Sequence, residues 1–165
     1  MSYYVGIPLL LIVAVAEASV LPMFTVGGLQ PNPMLVLLIA WLMVRGAGEA
    51  FFFIPMGGIF LGLVDSAPMG TALLALAPMA VLQEIRGSQL REGGFLLTIF
   101  FTVAMTIVFN LVYLLVFTLG GDGGSIAGAM TRVIIPTTLL NVIILFPIYA
   151  VLWATSGDLR RASYV

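Results

Sequence analysis

Three stretches of this chain, Tyr3 to Phe24, Phe95 to Leu119 and Ala129 to Thr155, run apolar over at least the length that a membrane crossing demands. A helix rises about 1.5 Å per residue and the hydrocarbon layer is ~30 Å thick, so ~20 apolar residues suffice. The interruptions are few: Glu17 in the first stretch, Asn110 in the second, and Arg132, Pro136, Asn141 and Pro147 in the third. Three shorter runs lie between them, Met34 to Val44, Phe51 to Val64 and Met69 to Leu82. Each gives only about 17–22 Å of helix, enough for a short span or a re-entrant piece. The connectors Gly27-Gly28-Leu-Gln-Pro31-Asn32-Pro33, Arg45-Gly-Ala-Gly-Glu49 and Asp65-Ser-Ala-Pro68 are turn-like punctuation, which favours spans. The expected fold is therefore an all-α integral membrane protein. A single domain over 1–165 would carry six transmembrane helices near 3–24, 34–44, 51–64, 69–82, 95–119 and 129–155.

Composition agrees. Of 165 residues, 62% are hydrophobic and 8% charged, and the mean hydropathy is +1.22, far from an average soluble domain. Six arginines against seven acidic residues, with no lysine, leave no basic stripe for nucleic acid. The absence of Cys and His removes disulfides, thiol nucleophiles, imidazole bases and the usual zinc and haem ligands. No serine has an evident base and no carboxylates have metal spacing, so the expectation is a protein without catalysis, cofactor or metal.

Short cytoplasmic loops carry the excess of basic residues. With six spans, Arg45, Arg86, Arg91, Arg160 and Arg161 share the side of both termini, and Arg132 alone lies toward the other. Both termini should then be cytoplasmic, with Asp65 and Asp122 at the outer face and Gln83 to Gly94 as an inner loop. Ala16-Glu17-Ala18 has the look of a signal-peptide cleavage site, but residues 1–6 hold no positive charge, so the segment is read as the first span. The basic loop and tail are read as topology anchors with weak contact to anionic lipid.

The segment Gly58-Ile-Phe-Leu-Gly62-Leu-Val-Asp65-Ser-Ala-Pro68-Met-Gly70 joins a packing surface to a polar turn. In lipid, helices associate where small residues let backbones approach, and Gly58 and Gly62 have that spacing for a contact within the bundle or with another chain. Ala14 and Ala18 offer a second such pair. Asp65 would end the third helix, with Ser66 capping and Pro68 set for the next helical turn, or would take a donor from a partner helix or line an outer cavity. Glu17 lies some 20 Å into the first span. It would pair with Arg132, bond to Asn110 or Asn141 as a neutral carboxyl, or serve a proton or cation relay. Asn141 has the position of polar glue in a helix kinked by proline.

Gly58-x-x-x-Gly62-Leu-x-x-Asp65 followed by Pro68-x-Gly70 resembles the signature region of the bacterial rod shape-determining protein MreD family. The likeness extends to the turn Pro31-Asn32-Pro33, where the family commonly has Asp at the position of Asn32, and to Leu139-Leu140-Asn141 in the last span. The resemblance implies a non-enzymatic, multi-pass subunit of the bacterial plasma (inner) membrane that supports lateral peptidoglycan synthesis and cell shape. Its implied partner is the scaffold MreC and, through it, RodA, a class B penicillin-binding transpeptidase and MreB. The fold it implies is a six-helix bundle similar to the substrate-binding subunits of energy-coupling-factor transporters. That likeness supplies an alternative function, a vitamin-binding subunit of such a transporter.

Overall fold

The computed structural model describes residues 3–24, 29–88, 94–121 and 126–162, and is built from helices. In chain order these are α1 (Tyr3–Ser19), followed by a 3-10 turn (Leu21–Phe24), α2 (Pro33–Arg45), α3 (Ala47–Val64), α4 (Thr71–Leu76), α5 (Met79–Ser88), α6 (Phe95–Leu119), α7 (Ile126–Ala129), a π-helical turn (Met130–Ile134) and α8 (Ile135–Ala162). Among the described residues, four stretches are long and apolar enough to cross a membrane: Tyr4–Met23, Ala47–Val64, Phe95–Leu119 and Met130–Ser156. Two shorter apolar helical regions, Pro33–Arg45 and Thr71–Leu82, accompany them. The arginine anchors at 86, 91, 160 and 161, as well as Asp122, have side chains outside the described residues.

The shortest of the apolar runs forms the centre of the bundle. Pro33 opens α2 at a position whose missing N–H costs nothing, and the Asn32 side chain accepts from Leu35 N–H at 2.9 Å. Every residue from Met34 to Met43 is buried, because α2 is wrapped by α1, α3, α6 and α8. A helix apolar on all sides belongs inside a protein or in lipid. Here protein covers it, so its length, ~20 Å, need not match a bilayer.

The connector after α2 is shorter than the sequence suggests. Gly46 alone (φ +96°) breaks the chain, and Ala47 to Glu49, read above as turn, are helical. Only glycine adopts that backbone conformation without strain. Glu49 then falls in the first turn of α3, where a carboxylate suits the helix dipole, and accepts from Trp41 Nε1 at 3.0 Å. The Arg45 guanidinium lies over the Trp41 ring, 4.8 Å from its centroid, and donates to Thr155 Oγ1 at 3.1 Å. These contacts join α2, α3 and α8 at one end of the bundle.

Two more boundaries differ. The run Met69 to Leu82 is divided by a turn at Ala77 and Pro78, and α5 continues to Ser88, so the first half of the expected inner loop is helical. Before α8 the chain widens into the π-helical turn, with Ile135 N–H bonded to Met130 O. Pro136 cannot donate backward and crowds the preceding turn, which a one-residue-wider turn relieves.

The two signature glycines serve different ends. A Cβ on Gly58 would lie 3.0 Å from Leu73 Cα, so this glycine sets the close approach of α3 to α4. A Cβ on Gly62 would find only Ala72 Cβ, at 3.9 Å. Gly57 faces Leu38 and Met34 of α2, and Gly6 of α1 lies against the Phe53 ring, two close contacts that sequence spacing did not single out. Gly58→Leu should therefore overpack the α3–α4 contact by about 1–3 kcal/mol. Thermal melting in detergent should show a clear loss for Gly58→Leu and near-normal stability for Gly62→Leu; equal melting of the two would contradict this division.

Candidate functional site

A helix begins with donors that no turn of its own can satisfy, and α2 begins inside the bundle. The side chains around that start are arranged to take those donors. Asn32 N–H donates to Asn141 Oδ1 at 2.7 Å, Met34 N–H to Glu17 Oε2 at 3.0 Å, and Leu35 N–H to Asn32 Oδ1. Pro33 has no N–H to satisfy. Three distant parts of the chain, α1, the loop before α2 and α8, thus converge on one helix end.

Asn141 is wholly buried and uses both halves of its amide. Its Nδ2 donates to Thr106 Oγ1 at 3.0 Å, and the Thr106 hydroxyl donates to Thr102 O at 2.7 Å. Thr102 in turn donates to Thr98 O at 2.8 Å, and Asn110 Nδ2 to Thr106 O at 2.8 Å. Thr98, Thr102, Thr106 and Asn110 are spaced by four and so form one polar stripe along α6. Each hydroxyl or amide in the stripe bonds a carbonyl one turn back, which leaves little unsatisfied polarity in an apolar surround.

Asp65 caps the other side of the site. It ends α3 with its N–H on Leu61 O at 2.9 Å; its Oδ1 accepts from Ala67 N–H at 3.3 Å and its Oδ2 from Tyr113 Oη at 2.6 Å. The carboxylate is therefore both a turn-former and an α3–α6 clasp. Ser66 and Pro68 do not play the capping roles expected of them. The next helix starts at Thr71 after Gly70 (φ +91°), and Pro68 contributes its carbonyl, which accepts from both Thr71 N–H (3.1 Å) and Thr71 Oγ1 (2.7 Å). The loop must reverse direction between two antiparallel helices, and a left-handed glycine does so with the fewest residues.

Between these groups is a polar cavity with two adjoining lobes. One, of about 350 Å³, lies among Glu17, Gln30, Asp65, Ser66, Phe109 and Tyr113. The other, of about 370 Å³, shares Glu17, Gln30, Asn32 and Phe109 and adds Asn110 and Thr137. The Phe109 and Tyr113 rings stack at 4.7 Å with 26° between planes. The cavity sits at the end of the bundle opposite the Arg45–Trp41–Glu49 cluster.

Of the residues singled out from sequence, the structure gathers Glu17, Asp65, Asn110 and Asn141 around this cavity or its supports. The partners expected for Glu17 are not those it has. Its bond goes to the α2 backbone, Arg132 is exposed on the π-helical turn, Asn110 bonds within its own helix, and Asn141 serves Asn32 and Thr106. A helix N-terminus supplies the positive dipole end that an arginine would otherwise provide. Gly58, Gly62, Pro68 and Gly70 lie on the α3–α4 surface instead. Tyr113, Thr106 and Gln30 escaped the sequence reading, and Asn32, named there only within the turn before the second run, caps α2; the fourfold spacing on α6 was the available signal for the threonines, and nothing local marks Tyr113.

Asn141→Leu should strand the part-buried Asn32 N–H and remove the bond to Thr106, at a cost of about 1–3 kcal/mol, read as a lower melting temperature in detergent. Glu17→Gln keeps an acceptor for Met34 N–H and should stay close to wild type, whereas Glu17→Leu should not. Equal stability of the two Glu17 variants would contradict the helix-capping role.

No protein-family model, no curated protein and no solved structure matches this chain.

Proposed function

We propose that this chain is a non-enzymatic plasma-membrane subunit of a bacterial elongation complex, of the MreD kind, and that it holds the single transmembrane helix of the scaffold MreC. Through MreC it would reach RodA, its transpeptidase and MreB. The supporting resemblance lies in the Gly58-to-Gly70 segment. The observation that carries the reading is a surface furrow along α3 and the α4–α5 pair. Its outer part, about 140 Å³, lies among Gly58, Ile59, Gly62, Met69 and Gly70, and its inner part, about 340 Å³, among Phe51, Pro55, Ala77 and Ala80; Leu73 borders both. The lining is overwhelmingly apolar, as a lipid-facing or helix-facing surface must be.

Lipid and leucine are equally apolar, so a foreign helix gains from this furrow chiefly by close packing at small residues. Gly62 and Gly70 leave the outer part open, while Leu63 and Met69, 64% and 85% exposed, stand beside it. The reading includes six spans with both termini cytoplasmic, which places Asp65 and the polar cavity at the outer face. Two helices too short to cross alone fit it, because α2 is enclosed by longer neighbours.

Gly62→Leu should reduce co-purification of MreC from native membranes at least several-fold with the bundle still folded; unchanged co-purification would remove the furrow from the reading. Reporter fusions should place Ala67 outside and Val165 inside, and an external C-terminus would overturn the six-span topology. The polar cavity favours the alternative, a vitamin-binding subunit of an energy-coupling-factor transporter. Mass spectrometry of the same pull-down separates the two: wall-synthesis proteins support the first, coupling ATPases with a retained vitamin the second.

A further inference from the structure

Among the described lining residues, the charged side chains of the two-lobed cavity are one-sided: Glu17 and Asp65. The cavity's backbone donors and the Tyr113 hydroxyl are spent on the protein itself: the free N–H groups at the start of α2 go to Glu17, Asn32 and Asn141, and the Tyr113 hydroxyl goes to Asp65, while Gln30, Ser66 and Thr137 add neutral groups that can donate or accept. An anion therefore finds no open helix N-terminus and no cationic side chain among the described lining residues. Acceptors remain, because a carboxylate has about four lone-pair sites and Glu17 and Asp65 use only one and two of them in these bonds. Tyr113 presents its oxygen lone pairs as well.

Two further features point the same way. The stacked Phe109 and Tyr113 rings line the lobe that holds both carboxylates, and aromatic π-systems attract cations. No basic side chain stands among the described lining residues of either lobe; Arg132, next to Val133 of the second lobe, is exposed, and Arg45 is engaged with Trp41 and Thr155 at the opposite end. The chain has no Lys or His to supply a charge from elsewhere. Ionised carboxylates within a membrane protein are costly without a counter-charge.

We infer that this cavity binds a small organic cation through an alkylammonium group held between Glu17, Asp65 and the Phe109–Tyr113 ring pair. Each lobe is large enough for a small molecule and open enough to admit it. The same chemistry is offered by a free amine and by the headgroup of phosphatidylethanolamine. The inference holds whether the chain belongs to the wall-synthesis machinery or to a transporter, since it rests on the cavity alone.

Thermal melting of the purified full chain in detergent tests it. Ethylammonium chloride at roughly tens of millimolar should raise the melting temperature by ~2–4 °C over sodium chloride of equal ionic strength. Asp65→Asn and Glu17→Gln keep their acceptor oxygens and should abolish that rise. In parallel, native mass spectrometry from nanodiscs of phosphatidylethanolamine mixed with phosphatidylglycerol identifies the source. Preferential retention of phosphatidylethanolamine, lost in both variants, assigns the headgroup; stabilisation by ethylammonium without lipid preference assigns a soluble amine. No ethylammonium effect and no lipid preference in the wild-type protein would overturn the inference, as would equal effects in wild type and both variants.

Discussion

The buried start of α2 governs the rest of the structure. A helix end in an apolar interior cannot leave its N–H groups to water, and each unsatisfied donor there costs free energy comparable to a lost hydrogen bond. The chain meets that demand with Asn32 locally, Glu17 from α1 and Asn141 from α8. Those three side chains fix the register of α1 and α8 against α2, and Asn141 passes the constraint to α6 through Thr106. The cavity exists because this polar junction, together with the Asp65–Tyr113 clasp, is too rich in oxygen to be packed by leucine.

Glycine serves the fold in two ways that depend on what faces it. Gly57 and Gly58 are occupied by neighbours inside the bundle, so they bring helices of the same chain together. Gly62, one turn beyond Gly58, keeps its space, and with Gly70 it leaves the furrow open at the outer end of α3. A spacing of four residues thus marks two consecutive turns of one face, and α4 presses closely on the first while leaving ordinary contact distance at the second. The proposed partner contact and the internal contact are therefore separable by substitution, which a single continuous packing face would not permit.

Much of the helical content was legible because continuous apolar length is a strong signal and Gly, Pro and Asn punctuate it. The errors lie where local signals conflict. Ala47-Gly48-Glu49 reads as turn, yet Glu49 is stabilised by the helix dipole and by Trp41, which stands eight residues earlier on the neighbouring helix. Gln83 to Ser88 reads as loop by polarity although its backbone continues α5. At the site, Glu17, Asp65 and Asn141 stood out because polar groups in apolar runs must be satisfied. Their partners did not, since Met34 N–H and Tyr113 Oη are ordinary groups until tertiary packing aims them.

By itself the sequence determined that the chain is helical and apolar enough for a membrane, that it lacks imidazole and thiol chemistry, and that a few polar residues must find partners within it. Those conclusions follow from composition and from the length of apolar runs, which depend on no contact between distant residues. Only the tertiary structure decided that the shortest run is the core, that Glu17 caps a helix rather than pairing with arginine, and that Gly58 is filled while Gly62 is open. Each of these depends on which helix lies beside which, a matter of packing between segments far apart in the chain.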